Sequence, residues 1–212
     1  MSLHMRPEAI EAESFRIIDE EVGPHLWSST QWPIVRRVIH TSADFDYAKS
    51  LIFSPNAVAR GVAALRQGKG IVTDTTMALS GISKPRLKRF GITASCHVAD
   101  QDVVITAQGQ GITRSVAAMR KALTNSTNSI FVIGNAPTAL FELLRLVTET
   151  GVRPDLVIGL PVGFVGAAES KEQLIITASD SDLHFISNRG RKGGSTIAAA
   201  VVNALLIMAD EG

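Results

Sequence analysis

Two arrangements of apolar residues alternate along this chain from about residue 70 onward. Short unbroken runs, Ile71-Val72-Thr73, Ile130-Phe131-Val132-Ile133, Leu156-Val157-Ile158 and His184-Phe185-Ile186, are separated by stretches whose apolar positions recur three or four residues apart. Unbroken runs bounded by Gly, Pro or Asn read as strands buried on both faces, and the amphipathic stretches between them as crossover helices. Ile92 to Val98 supplies a further strand. The pattern predicts an α/β fold: five strands with intervening helices, forming a three-layer, doubly wound, mainly parallel sheet of the flavodoxin-like type, in a single domain over residues 1–212. Residues 1–5 are expected to be disordered or foreign to the natural chain.

Helices are expected from Pro7 to Glu21, with Ile10, Ser14, Ile17 and Ile18 on one face, and after Thr30, with Ile34, Val35, Val38 and Ile39 inward. Thr41-Ser42-Ala43-Asp44 has the form of a capping box and predicts a new helix start, so His40 closes the helix before it. Ser54-Pro55 opens another helix that closes near Gly68, and further helices run from Ser115 to Leu123, from Thr138 to Glu149 and onward from Ser195.

In such sheets ligands bind at the carboxyl ends of the strands. Here those ends carry Asp74-Thr75-Thr76, Gly134-Asn135-Ala136-Pro137, the glycine-rich run Gly159 to Gly166, and Asn188-Arg189-Gly190-Arg191-Lys192-Gly193-Gly194-Ser195. Asp74, Asn135, Gly163 and Arg191 thus come to one edge from different turns, and His40 and Arg114 are placed to join them. The basic turn before Ser195 suits an anion at a helix start, or is an ordinary solvated loop.

Composition narrows the ligand. The net charge of +1, from 21 basic and 20 acidic residues, argues against nucleic acid or a membrane surface as partner. A single cysteine, Cys96, rules out an internal disulfide and fits a reducing, cytoplasmic setting. It lies beside His97 in the expected strand, where neighbours point to opposite faces, and there is no HExxH, CxxC or carboxylate cluster, so no metal is expected. Gly109 to Arg114 lacks the GxGxxG spacing of a dinucleotide site, and no Ser/His/Asp arrangement competes for the crevice. The apolar run 197–209 is shorter than the ~20 residues a membrane-spanning helix needs. The residues by themselves describe a metal-free, nucleotide-free pocket for a polyanionic small molecule, with one candidate acid, and leave the molecule unnamed.

The runs Ile133-Gly134-Asn135-Ala136-Pro137-Thr138-Ala139-Leu140-Phe141 and Gly159 to Lys171 resemble those of the precorrin-8X methylmutase family, as do Val38-Ile39-His40, Phe53-Ser54-Pro55, Thr73-Asp74, Thr113-Arg114-Ser115 and Arg189 to Ser195. The likeness is collinear from Glu8 to the final helix. It implies a homodimeric α/β isomerase of cobalamin biosynthesis that moves a methyl group from carbon 11 to carbon 12 of a corrinoid ring, precorrin-8X or cobalt-precorrin-8, without an added cofactor. It further implies His40 as the catalytic residue, with Ser14, Arg37 and Arg114 near the substrate. Asp74, Thr75, Asn135, Phe164 and Arg191 are assigned to substrate binding from their turns. A corrinoid carrier without turnover and a flavin or nucleotide module are the competing readings. The basic segment Lys84 to Arg89 either closes over a ligand held by a partner subunit or is a solvated helix end.

Overall fold

A computed structural model describes residues 6–211, so the expectation for residues 1–5 lies outside it. In chain order the elements are α1 (Pro7–Val22), α2 (Trp32–Ser42), α3 (Tyr47–Ser50), β1 (Leu51–Phe53), α4 (Ala57–Arg66), β2 (Gly70–Thr73), α5 (Thr76–Gly81), α6 (Lys84–Arg89), β3 (Ala94–Ser95), α7 (Gln101–Gln110), α8 (Arg114–Ala122), β4 (Asn128–Ile133), α9 (Pro137–Thr150), β5 (Leu156–Gly159), α10 (Ala167–Ser181), β6 (Phe185–Asn188) and α11 (Ser195–Glu211).

The strands form one sheet in the order β1-β6-β5-β4-β2-β3. All neighbours from β3 to β6 pair in parallel, while β1 lies antiparallel on β6 with Leu51 opposite Asn188. Successive side chains of each buried strand leave opposite faces. Ile71, Ile130, Val132, Leu156 and Ile158 therefore join one core with Ile34, Val38, Leu65 and Leu205. Val72, Phe131, Ile133 and Val157 join the other with Leu140, Leu143 and Leu174. The sheet is mostly parallel and covered by helices on both faces, as the unbroken apolar runs require.

Three local expectations change. Among the described residues there are six strands rather than five: Leu51-Ile52-Phe53 pairs at the edge, a short apolar run hidden ahead of Ser54-Pro55. The strand expected over Ile92–Val98 shrinks to Ala94–Ser95, since this edge element has β2 as its one neighbour in the sheet. Cys96 and His97 accordingly lie beyond the strand, and the opposite-face argument does not apply to them. The capping box does not form. Thr41 and Ser42 belong to α2, their hydroxyls donating to the carbonyls of Arg37 (2.9 Å) and Val38 (2.8 Å), and the helix ends at Ala43 in the left-handed region, φ 52°. His40 sits in the last turn of α2. What fixes that turn in space is the stripe Ile34, Val35, Val38 and Ile39, all buried, each worth roughly 1.5–3 kcal/mol as an upper estimate.

Candidate active site

Because β2 to β6 run in parallel, the loops that follow them open on one edge. Asp74, immediately after β2, is the pin of this edge. It is 2% exposed, and its carboxylate accepts the backbone N–H groups of Gly134 (2.8 Å), Asn135 (2.8 Å) and Ala136 (2.7 Å). Burial pushes its carboxyl above the usual range, and the three N–H donors oppose that by favouring the charged form. The turn so held is pressed against α11: a Cβ on Gly134 would lie 2.6 Å from the Cα of Ser195. Thr75 caps α5 by accepting the Ala78 N–H at 3.1 Å, and its hydroxyl meets that of Ser195 at 2.7 Å. Asp74 and Thr75 thus have their polar atoms engaged by the frame of the edge, while the Asn135 side chain is exposed.

His40 lies exposed at one side of this edge, its ring edge-on to Phe15 with centroids 5.3 Å apart. Arg37, one turn earlier, makes a bidentate pair with Glu11 of α1 at 2.8 and 3.0 Å and stacks over Phe15 at 4.8 Å. Hydrogen bonding to Arg37 holds the Glu11 carboxyl below its usual range, helped by the charges of Arg37, His40 and Arg86. Ser14 donates to the Ile10 carbonyl of its own helix at 2.9 Å. An open cavity of about 490 Å³ is lined by Glu11, Arg37, Thr41, Met77, Arg86 and Thr196 among others. A second, of about 680 Å³, shares Glu11, Arg37 and Arg86 and continues past Phe15 to Met208.

Across the edge, the loop after β5 exposes Phe164 (84%) and Val165 (89%). Arg191, from the loop after β6, holds its guanidinium carbon 5.6 Å from the Phe164 ring centroid. Lys192 ties that loop to the turn after α2 through Asp44 (2.6 Å) and Asp46 (2.7 Å). Arg114 is exposed at the first position of α8, whose cap Thr113 meets Thr138 of α9 at 3.2 Å. Neither Arg114 nor Arg191 forms an ion pair among the described residues. The structure therefore brings together His40 and Arg37 on α2, Phe164 and Arg191 on neighbouring loops, and Asp74 with the backbone of Asn135.

Sequence reasoning passed over Glu11 and Met77 in the cavity wall, while Arg86 there belongs to the basic segment Lys84 to Arg89. Lys84 to Arg89 is a helix whose Arg89 pairs with Asp210 at 2.8 Å. It also overlooked a relay beside β3: Ser95 Oγ lies 3.3 Å from His97 Nε2, and His97 Nδ1 lies 2.8 Å from Asp100 Oδ2. These three residues line neither of the two cavities. Asp100 is at the same time paired with Lys121 at 2.8 Å, which neutralises the charge a hydrolytic triad reserves for its imidazole.

The sequence profile of precorrin-8X methylmutase (CbiC) matches residues 9–208. The chain belongs to the precorrin-8X methylmutase family. It is 48% identical to a cobalt-precorrin-8 methylmutase of Priestia megaterium, over 99% of this chain and 92% of the other. It is 50% identical to that of Salmonella typhimurium, over 95% of each. The crystal structure of a precorrin-8X methylmutase from Thermus thermophilus superposes with a TM-score of 0.88 at 40% identity, covering 97% of both chains. Membership makes the chain an isomerase, an intramolecular methyl transferase of cobalamin biosynthesis, and does not favour the carrier reading. Among the described residues no helix is long and apolar enough to cross a membrane.

Proposed function

We propose that this chain moves the methyl group on carbon 11 of a corrinoid ring to carbon 12, with His40 as the acid. The observation that carries the assignment is the exposed imidazole of His40 in the last turn of α2, between Arg37 and Thr41, which line a cavity with Arg86, in a chain of the methylmutase family. In this shift the bond from carbon 11 to the methyl group breaks, the bond to carbon 12 forms, and no atom enters or leaves the molecule. The enzyme's task is to hold the ring still and bias its electrons. Donating a proton to a ring nitrogen near the migrating centre does the second, and the same proton returns once the methyl group has moved. An imidazole suits this at neutral pH, and such acid catalysis is typically worth about 10² to 10⁴ in rate.

Arg191 and Arg114 serve the ring's carboxylates in this reading, since their guanidinium groups are exposed and unpaired among the described residues. Phe164 offers an apolar face for the macrocycle. Ser14, Arg37 and Asn135 complete the assigned contacts, while Asp74 and Thr75 act by holding the turns that carry them. The five parallel strands, in order 2-1-3-4-5 when counted by themselves, fit a flavodoxin-like topology in one domain, whose switch point between β2 and β4 is the turn that Asp74 pins. Cobalt-precorrin-8 is the favoured substrate: three relatives at 45 to 50% identity are described as cobalt-precorrin-8 methylmutases, while among those at 36 to 40% both that description and precorrin-8X methylmutase occur. The cavities are open, so a second copy in a cytoplasmic homodimer completes the cover of a flat ring.

Incubating the protein separately with cobalt-precorrin-8 and precorrin-8X, and following the absorbance change of each, tests the assignment. Turnover of the cobalt form at the higher kcat/KM is expected. No turnover of either would overturn the activity, and preference for the metal-free ring would reverse the choice of substrate.

A further inference from the structure

Lys171, in the first turns of α10, is completely buried at 0% exposure. It forms no ion pair among the described residues, and its Nζ donates instead to Asn188 Oδ1 (3.0 Å) and to the backbone carbonyl of Lys192 (2.6 Å). An unpaired ammonium in a protein interior is expensive. A purely packing role at this point is served better by an apolar side chain of similar length, so the amine's reach and donors must matter.

Those donors organise the loop after β6. Nζ has no acceptor capacity, so it forces the Asn188 amide to present its oxygen, which turns Nδ2 toward the carbonyls of Arg189 (3.1 Å) and Lys192 (2.9 Å). The loop has little preference of its own, because Gly190 and Gly194 sit at φ 81° and 138°. Held from beneath, it docks on the loop after β5. The Gly194 N–H donates to Leu160 O at 3.0 Å and the Gly163 N–H to Arg191 O at 3.2 Å. A Cβ on Gly193 would lie 2.3 Å from Leu160 O. Arg191 and Phe164 ride on the two loops so joined, and the flanking charges, Arg189 with Glu172 and Lys192 with Asp44 and Asp46, are paired among themselves.

We propose that Lys171 is a positioning residue that clamps the two loops together and so sets Arg191 and Phe164 for the corrinoid. The proposal rests on the reading of Arg191 as a substrate contact, and the clamp itself is measured independently of substrate. The clamp works in the ammonium form, whose N–H groups fill the two acceptors and which offers no lone pair to the Asn188 amide.

The test compares the full-length protein with Lys171→Met by amide hydrogen exchange and by titration with the product cobyrinate. Exchange at Gly163 and Gly194 is expected to quicken at least about tenfold relative to the Val132 amide of β4. KM and the product Kd should rise about tenfold with kcat within roughly threefold, and Arg191→Ala should add less than about twofold in the Lys171→Met background. Unchanged exchange at both glycines, or additive effects of the two substitutions, would overturn the clamp. Arg191→Ala without effect in the otherwise native protein defeats the substrate reading of Arg191 alone, and the exchange result still decides the clamp. Asn188→Ala removes the second half of the device and should reproduce the pattern; if neither variant folds, Lys171 belongs to the fold alone and the proposal fails.

Discussion

Replacing Asp74 by alanine should damage stability far more than its place on the catalytic edge suggests. The carboxylate satisfies three backbone N–H groups, of which those of Gly134 and Ala136 belong to buried residues and that of Asn135 to an exposed one with access to water. A buried donor left unpaired costs about 1–3 kcal/mol, so the two buried ones together give about 2–6 kcal/mol. That is a large share of the 5–15 kcal/mol by which domains are usually stable. Asp74→Asn keeps one acceptor but turns an NH₂ toward N–H donors, and should recover at most about half of the loss. Asn135→Ala is the control: its side chain is exposed and its N–H is untouched, so its effect should stay within about 0.5 kcal/mol. Urea unfolding of the three variants, with m-values compared to confirm a common unfolded state, reads the differences directly. Asp74→Ala unfolding within about 0.5 kcal/mol of the unsubstituted protein would refute the pin and return Asp74 to the list of free ligand contacts.

His40→Ala should fold normally and bind cobyrinate, because the imidazole is exposed and leaves no cavity, yet lose about 10² to 10⁴ in kcat; near-native turnover in a folded variant removes His40 from the mechanism. Arg114→Ala and Arg191→Ala should each weaken product binding by about 1.5–3 kcal/mol per lost charge-assisted bond without lowering the melting temperature, and an early melt with native binding contradicts this. Desolvation lowers the Lys171 pKa to about 8 in the folded protein, from 10.5 when exposed. The unfolded chain therefore binds the extra proton between those values, and the stability of the native protein relative to Lys171→Met should rise from pH 8 to 10.5 by up to about 3 kcal/mol; a difference that falls with pH has the wrong sign for a desolvated amine. Sedimentation should show a dimer whose activity per subunit declines on dilution, and a fully active monomer defeats the shared pocket.

The elements legible in the sequence are those whose burial is decided locally. Ile130 to Ile133 and Leu156 to Ile158 are apolar without a break and became the centre of the sheet. Ile34, Val35, Val38 and Ile39 announce α2 in the same way. Where one neighbour or one side chain far along the chain decides, the sequence misleads. Ile92 to Val98 looks like a strand, but as an edge element it pairs over two residues. Thr41 looks like a cap, but α2 runs one residue past it to Ser42, and Asp44, the far end of the presumed box, is taken by Lys192. Helix α7 went unread because it buries only Val103 and Ala107 and shows little amphipathic contrast.

The same distinction separates the site residues by what their side chains meet. His40, Phe164, Arg114 and Arg191 are exposed and, among the described residues, free of protein partners that would consume their chemistry, apart from the Phe15 ring edge-on to His40 and the Phe164 ring near Arg191. Asp74 is consumed by three N–H groups about sixty positions away, and Lys171 by a loop that follows it in the chain. Arg37 is the instructive intermediate. Its side chain lines both cavities beside His40, yet both guanidinium nitrogens that face Glu11 are occupied, at a separation of 26 residues that no local pattern reveals. Glu11, half-exposed on α1, takes two of the five N–H donors of Arg37, so a substrate carboxylate meets a guanidinium whose charge is already balanced. In the proposed reading Arg37 adds specificity of position more than affinity, because Glu11 already meets its charge, and Arg114 and Arg191, unpaired among the described residues, supply most of the ring's binding energy.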